Sequence, residues 1–147
     1  RQYQQRGHGG FKSASWPICK FVQEKSKPSD SIFLWGFDPA PYTACKRRPA
    51  SRYVYTTFPS GYIPFLSRTP EVEAQQVAPG SQEILLRELE QSRPALIFDS
   101  ARSMGGRSIM QYERLASFVK AGYCRADVNV GGPTPWVQKS GNDCPSR

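Results

Sequence analysis

Short apolar runs of strand length alternate with segments of helical period, and this alternation limits the possible folds more than any other feature of the chain. Residues 31–36 and 95–99 are two nearly uninterrupted apolar runs. Because neighbouring side chains of a strand point to opposite faces, an uninterrupted apolar run indicates burial on both faces. Strands of this kind are typical of parallel sheets that are covered by helices.

Further elements are predicted between and after these runs. Residues 51–57 are rich in aromatic and β-branched residues and predict another strand. Residues 123–130 and 134–138 surround a Gly-Gly-Pro turn and predict a terminal antiparallel hairpin. Helices are predicted where apolar residues recur at helical spacing or where short turn signals favour a helix. The first predicted helix begins after a cap at Ser15, and the others cover 41–45, 81–91 and 108–121.

The order of these elements predicts an α/β fold, with a layered sheet of about five strands, crossover helices and a C-terminal β-hairpin. The chain has 147 residues, which is the usual size of one domain. We expect a flexible lead-in over 1–14, a single α/β domain over 15–139 and a tail over 140–147. Residues 58–80 carry four prolines and no sustained period, so they are predicted to form a long surface excursion. Residues 101–107 contain Gly105-Gly106 and are predicted to form a flexible loop.

The chain is basic, with 20 Lys and Arg against 12 Asp and Glu and a net charge of +8. This excess favours anionic partners, although it is also compatible with a solvated basic surface. Residues 46–48 and Arg52 form its only dense basic cluster. No motif interleaves basic residues with stacking aromatics, so we expect no nucleic-acid partner. No apolar run approaches the roughly 20 residues of a membrane-crossing helix, and we expect a soluble chain.

The four cysteines are too widely spaced for a zinc site, and the only histidine is His8. No glycine-rich loop has the spacing of a phosphate-binding motif, so neither a metal nor a cofactor is expected. An even count of cysteines permits two disulfides with three possible connectivities in an oxidising compartment, or four unpaired thiols. Cys124 and Cys144 flank the predicted hairpin and could approach each other.

No catalytic residue is predicted. A hydrolytic triad needs a nucleophile, a base and an orienting acid. The only imidazole, that of His8, lies in the predicted flexible lead-in, and the chain has no G-x-S-x-G motif. Asp38 and Asp99 both follow predicted strands, where acid–base groups of α/β enzymes often lie. Each is equally suited to accept hydrogen bonds in a local turn, which is the interpretation we favour.

Several aromatic, acidic and basic residues near the first strand are candidates for ligand binding. Trp35 could stack on a sugar ring or fill the core, and its large apolar area favours the core. The arginines could bind phosphate through their forked guanidinium groups, or Arg52 could pair with Asp38 or Glu71. The candidates are Trp35, Asp38, Tyr42, Arg47, Arg48 and Arg52.

One stretch has a more specific pattern. Residues 28–39 read PSDSIFLWGFDP, Tyr42 follows, and residues 48–53 read RPASRY. This pattern resembles the segment that follows the last transmembrane helix in bacterial relatives of the dolichyl-phosphate-mannose protein mannosyltransferases. Residues 86–98 and 112–123 are also similar to that family, so the resemblance covers about residues 15–138.

The resemblance implies a soluble accessory domain of a membrane glycosyltransferase that uses a polyprenyl-phosphate sugar. Members of that family carry their catalytic acids in loops near a membrane-embedded N-terminal half, so the resemblance moves no catalytic residue onto this sequence. It implies an extracytoplasmic location, periplasmic or extracellular, where disulfides can form. The implied partners are the membrane-embedded part of the parent chain and the polyprenyl-phosphate sugar or its acceptor. The alternative is a stand-alone binding module for an anionic or phosphorylated ligand.

Overall fold

The computed structural model describes residues 16–144. The expected lead-in over 1–14 and the predicted helix cap at Ser15 lie outside these residues. Along the described chain the α-helices are α1 (Pro17–Lys25), α2 (Ala40–Ala44), α3 (Thr57–Ser60), α4 (Pro70–Gln76), α5 (Ser81–Ser92) and α6 (Glu113–Gly122). The strands are β1 (Ser31–Trp35), β2 (Arg48–Pro49), β3 (Leu96–Asp99), β4 (Tyr123–Arg125) and β5 (Thr134–Gln138). Short 3₁₀ turns cover Ala101–Met104 and Ile109–Gln111.

The five strands form one mixed sheet in the order β2-β1-β3-β5-β4. The strands β2, β1 and β3 are parallel, and Phe33 of β1 lies opposite Ile97 of β3. The strands β3, β5 and β4 are antiparallel neighbours. The predicted α/β fold with about five strands and a C-terminal hairpin is therefore confirmed.

The core has two halves, one on each face of the sheet. Ile32 and Leu34 point to the face that is covered by α1, where they pack with Val22. Phe33 and Trp35 point to the other face, which is covered by α5 and α6. All five residues of β1 are buried, as the uninterrupted apolar run predicts. Burying a large apolar side chain contributes about 1.5–3 kcal/mol, so the two halves together supply the main driving force for folding.

The strand predicted over 51–57 is wrong. The pairing strand β2 ends at Pro49, and the chain then turns away from the sheet. The carboxylate of Glu88 on α5 accepts hydrogen bonds from the Ser51 hydroxyl at 2.6 Å and the Arg52 amide at 3.0 Å. Because the Arg52 amide donates to this helix side chain, the amide does not pair with a neighbouring strand. Tyr53 and Val54 pack against the core outside the sheet instead.

Two other predictions need correction. The excursion over 58–80 contains the short helix α4 and most of α3. The helix predicted over 108–121 is divided at Tyr112, whose backbone is extended with φ −105° and ψ 102°. The Tyr112 ring packs on Trp35 with centroids 5.0 Å apart, and its hydroxyl donates to the carbonyl of Ser60. These tertiary contacts outweigh the local helical preference of the segment.

All four cysteines form disulfides. Cys19 of α1 is bonded to Cys45 at the end of α2, and Cys124 of β4 is bonded to Cys144. The first bond lies in the core, whereas the second joins the hairpin to the C-terminal tail. The predicted approach of Cys124 and Cys144 is confirmed, and two disulfides are compatible with an oxidising compartment.

Removal of either disulfide should destabilise the protein. The closed loops span 26 and 20 residues in sequence, and loop-closure entropy gives about 3 kcal/mol for each. C19A/C45A should lower the free energy of unfolding more than C124A/C144A, because Cys19 and Cys45 are also buried. Urea denaturation measures both losses, and peptide mapping without reduction checks the pairing. Equal losses, or a different pairing, would contradict this account.

Candidate functional site

The adjacent parallel strands β1 and β3 form a topological switch point. The chain leaves β1 through α2 and enters β2 on one side, whereas β3 has its next neighbour, β5, on the other side. The connections that follow the two strands therefore lead in opposite directions. In open α/β sheets, ligands bind in the crevice that this divergence leaves at the carboxyl ends of the strands.

A cleft of about 400 Å³ opens at this edge of the sheet. Its walls come from the start of α1, the loops that follow β1 and β3, and the turn before β5. Most of the surface is apolar, and its apolar side chains are those of Trp16, Pro17, Ile18, Leu34, Pro41, Val130 and Pro133. The polar side chains in the lining are Asp38, Ser100, Arg102 and Ser103.

The two post-strand loops are in close contact beside the cleft, which Ser100 and Ser103 line. A Cβ atom at Gly36 would lie 2.9 Å from Ser100 Cβ and 3.1 Å from Ser103 Oγ. The Ser100 amide donates to the Trp35 carbonyl at 2.8 Å, and Thr56 donates to the Gly36 carbonyl through both its amide and its hydroxyl, each at 3.1 Å. Glycine is thus required here by the close approach of backbone and side chains.

The polar groups of the cleft differ in what they offer a ligand. Asp38 is exposed, and its Oδ1 accepts a hydrogen bond from the Ala40 amide at 3.0 Å, which fixes the carboxylate at the loop. Arg102 is exposed on the 3₁₀ turn after β3. A carboxylate accepts hydrogen bonds from hydroxyl groups, and a guanidinium binds phosphate or carboxylate oxygens. The cleft can therefore hold a ligand that has both an anionic group and hydroxyls.

Asp99 supports the loop that carries Arg102. Its carboxylate accepts hydrogen bonds from the Ser108 hydroxyl at 2.5 Å and from the Ile109 amide at 3.4 Å. Burial raises the pKa of Asp99, and these hydrogen bonds oppose the rise only in part. The favoured interpretation of Asp99 as a local acceptor matches this arrangement, and the same holds for Asp38.

Two of the predicted ligand residues lie in the core. Trp35 is fully buried, and its Nε1 donates to the Arg107 carbonyl at 2.9 Å. The hydroxyl of the buried Tyr42 accepts a hydrogen bond from the Leu34 amide at 2.9 Å. Burial raises the pKa of Tyr42 far above its ordinary value. Both side chains therefore bind protein atoms.

The three predicted arginines do not converge on one site. Arg47 is buried, and its guanidinium donates to Ser26 at the end of α1 and to the carbonyls of Cys45 and Lys46. It therefore joins the ends of α1 and α2. Arg48 is exposed on β2, at the edge of the sheet.

Arg52 pairs with Glu88, not with Asp38 or Glu71. The Arg52 Nε lies 2.5 Å from Glu88 Oε1. Burial raises the pKa of Glu88, but the hydrogen bonds from Ser51 and Arg52 outweigh burial, and the net pKa is lowered. Of the six candidates, the structure places only Asp38 in the cleft lining.

The polar residues after β3 were missed by sequence reasoning. The sequence predicted a flexible glycine-containing loop over 101–107, and no ligand role was considered for Ser100, Arg102 or Ser103. A usable signal was present, because these residues directly follow the second buried apolar run. The carboxyl ends of parallel strands lie at the same edge of a sheet, so both post-strand segments face one region.

A larger concavity of about 710 Å³ lies beside α4 but offers less to a ligand. Its charged groups are Glu73 and Arg107, whose Oε1 and Nη2 atoms lie 2.5 Å apart. Arg107 also donates to the Gly105 carbonyl at 2.7 Å and lies over the Tyr62 ring. Because these charges already neutralise each other, the switch-point cleft is the stronger candidate.

Within residues 16–144, no helix has the length and apolar character to cross a bilayer. In the same part of the chain, no cluster of three or more His, Cys, Asp or Glu side chains is arranged to hold a metal ion.

Comparison of the chain with protein-family models, curated proteins and solved structures found no match.

Gly36→Ala should destabilise the protein by roughly 1–3 kcal/mol, because the added methyl group overpacks against Ser100. Gly122→Ala is the matched control, since a Cβ atom there meets no atom within 4 Å and alanine favours the helix end. Chemical denaturation of both variants measures the difference. A loss in Gly122→Ala as large as that in Gly36→Ala would refute the close-approach explanation.

Asp99 should make stability depend on pH in a defined direction. Its pKa is raised from the ordinary value of 3.8, so the folded state favours the protonated form. The contribution of this group is fully present below pH 3.8 and is lost as the pH rises through the folded-state pKa. The free energy of unfolding of the wild type, relative to Asp99→Asn, should therefore fall over that range. A rise would contradict the assignment, and NMR titration of the Asp99 carboxyl checks it independently of the variant.

Proposed function

We propose that this chain is an extracytoplasmic accessory domain of a membrane glycosyltransferase, and that the cleft between β1 and β3 holds the phosphate-linked sugar of a polyprenyl-phosphate donor. The observation that carries the proposal is the position of Asp38 and Arg102, which lie in one cleft at the ends of two parallel strands. Ligands of α/β proteins bind at this place in the fold.

The chemistry of the cleft fits such a donor. Arg102 supplies a guanidinium for the phosphate, and Asp38 supplies a carboxylate that accepts hydrogen bonds from sugar hydroxyls. The apolar walls, among them Ile18 and Pro41, suit the CH face of a sugar ring or the first isoprene unit. Hydrophobic walls with a few polar groups are the usual composition of small-molecule sites.

The resemblance to the mannosyltransferase relatives supports the same proposal. The residues that carry it have structural roles in this fold: Trp35 and Tyr42 fill the core, and Ser51 and Arg52 bind Glu88. The shared pattern is thus explained as a set of positions that specify one domain fold. The two disulfides support an oxidising, extracytoplasmic compartment.

The stand-alone anion-binding module differs from this proposal in its ligand and its site. It was based on Arg47, Arg48 and Arg52, but two of these guanidinium groups already bind protein acceptors. Of these three arginines, only Arg48 has a side chain that is exposed and makes no hydrogen bond or ion pair to a protein acceptor within residues 16–144. A comparison of Arg48 with Arg102 therefore separates the two functions.

Binding should depend on Arg102 and on the sugar. We expect geranyl-phosphate mannose to bind more tightly than geranyl phosphate, and Arg102→Gln to weaken binding by about tenfold or more, because a charge-assisted hydrogen bond is lost. Asp38→Asn should remove most of the preference for the sugar. Arg48→Gln, on the sheet edge outside the cleft, is the matched control and should bind as the wild type does. Isothermal titration calorimetry measures each affinity.

Two results would overturn the proposal. If Arg48→Gln weakens binding and Arg102→Gln does not, the ligand site lies at the sheet edge. If both ligands bind equally, the cleft recognises the phosphate alone, and the anion-binding module becomes the better explanation.

A further inference from the structure

Exposed apolar side chains are concentrated in one part of the chain. Eight large apolar residues are exposed in the described structure, and seven of them lie between residues 37 and 72. Three of these seven, Ile63, Phe65 and Leu66, are within four consecutive residues of the loop that joins α3 to α4. We call residues 63–68 the apolar loop.

Phe65 is the extreme case. Its side chain is 98% exposed, so it makes almost no packing contact within the fold. Its φ of 71° places a bulky residue in the left-handed region, which is uncommon for residues other than glycine. Strained backbone of this kind often occurs at functional sites. Folding therefore gains little from this phenylalanine, whereas an apolar partner could bury its whole ring.

The base of the apolar loop is fixed to the domain. The Tyr62 amide donates to the Ser60 hydroxyl at 3.1 Å, and the Arg107 guanidinium lies 4.5 Å from the Tyr62 ring centroid. Arg107 is held in turn by Glu73. A rigid base with exposed apolar residues beyond it can present them to a surface without a large loss of conformational freedom.

Arg68 adds a cation at the same place. Tyr62, Phe65, Leu66, Ser67, Arg68 and Arg107 line a shallow concavity of about 380 Å³. The Arg68 Nη1 is shielded from water and has no hydrogen-bond partner in the described part of the chain. Leaving a guanidinium nitrogen without an acceptor is unfavourable, and a small movement of the side chain toward a phosphate oxygen would satisfy it.

We propose that the apolar loop docks on an anionic lipid surface, with Phe65 and Leu66 in the boundary between headgroups and acyl chains and Arg68 paired with a lipid phosphate. Apolar residues beside basic ones are the pattern by which proteins bind the membrane interface, and the net charge of +8 complements an anionic surface. The proposal is independent of the cleft ligand, because no residue of the apolar loop lines the cleft.

A lipid surface fits these residues better than a protein partner does. A stable protein interface buries about 800 Å² on each side and centres on residues that are packed into pockets. The apolar loop instead offers a few side chains that project beyond a shallow, charged concavity. Such a shape suits shallow insertion into a fluid boundary.

Vesicle flotation tests the proposal with the chain of residues 1–147. Vesicles of phosphatidylcholine alone are compared with an equal mixture of phosphatidylcholine and phosphatidylglycerol, at low and high salt. We expect binding to the mixture that weakens with salt. The variant F65S/L66S should bind at least about tenfold more weakly, because two apolar side chains are no longer buried. Arg68→Gln should bind roughly fivefold more weakly, because one cation near the surface is lost.

The control variant V128S/R125Q removes one exposed apolar side chain and one exposed cation from the hairpin, far along the chain from the apolar loop. It should bind as the wild type does. A second readout uses Phe65→Trp, whose additional fluorescence should be quenched by lipids with brominated acyl chains, whereas the additional fluorescence of Val128→Trp should not.

Several results would overturn the proposal. Absence of wild-type binding to the anionic vesicles would do so, and so would equal binding to neutral ones. An equal loss in V128S/R125Q would mean that the net charge, and not the apolar loop, drives binding. Competition by inorganic phosphate at low concentration would indicate a soluble anion. Concentration-dependent self-association that F65S/L66S abolishes, without vesicle binding, would identify a protein partner.

Discussion

The parallel pairing of β1 with β3 is the contact on which the rest of the structure depends. The register from Ile32 to Trp35 joins two segments that are far apart in sequence, and both strands are buried on both faces. Because each face needs a cover, α1 must lie on one side and α5 and α6 on the other. The same pairing places the ends of the two strands side by side, and the cleft opens there. The pairing of β1 with β3 therefore determines the position of both the core and the candidate site.

The sheet could be predicted from the sequence because burial on both faces leaves a clear pattern. The apolar runs at 31–36 and 95–99 can be recognised without knowledge of the tertiary contacts, and each contains a strand of the sheet. The segment 51–57 has the composition of a strand but not the environment of one. Its first two residues, Ser51 and Arg52, instead donate hydrogen bonds to Glu88, which lies far along the chain. No local pattern reveals such a contact.

The candidate site was predictable only in part. Asp38 was found because it follows a strand, whereas Arg102 was missed because two glycines nearby suggested a flexible loop. Trp35 and Tyr42 illustrate the opposite case. Aromatic residues at a strand end and in a short helix suit either a sugar site or a core, and the three-dimensional structure shows that both are buried. Residue type alone does not separate these roles.

The mixed character of the sheet has a consequence for the order in which the protein can fold during synthesis. β3 pairs with β1 on one side and with β5 on the other, and β5 is the last strand within residues 16–144. A nascent chain that ends after Asp99 can form the parallel pair but leaves one edge of β3 without a neighbour. Unpaired strand edges promote association between chains. Pairing of β5 with β3 covers this edge, so we expect the tendency to aggregate to fall once the hairpin, which Cys144 links to the tail, has formed.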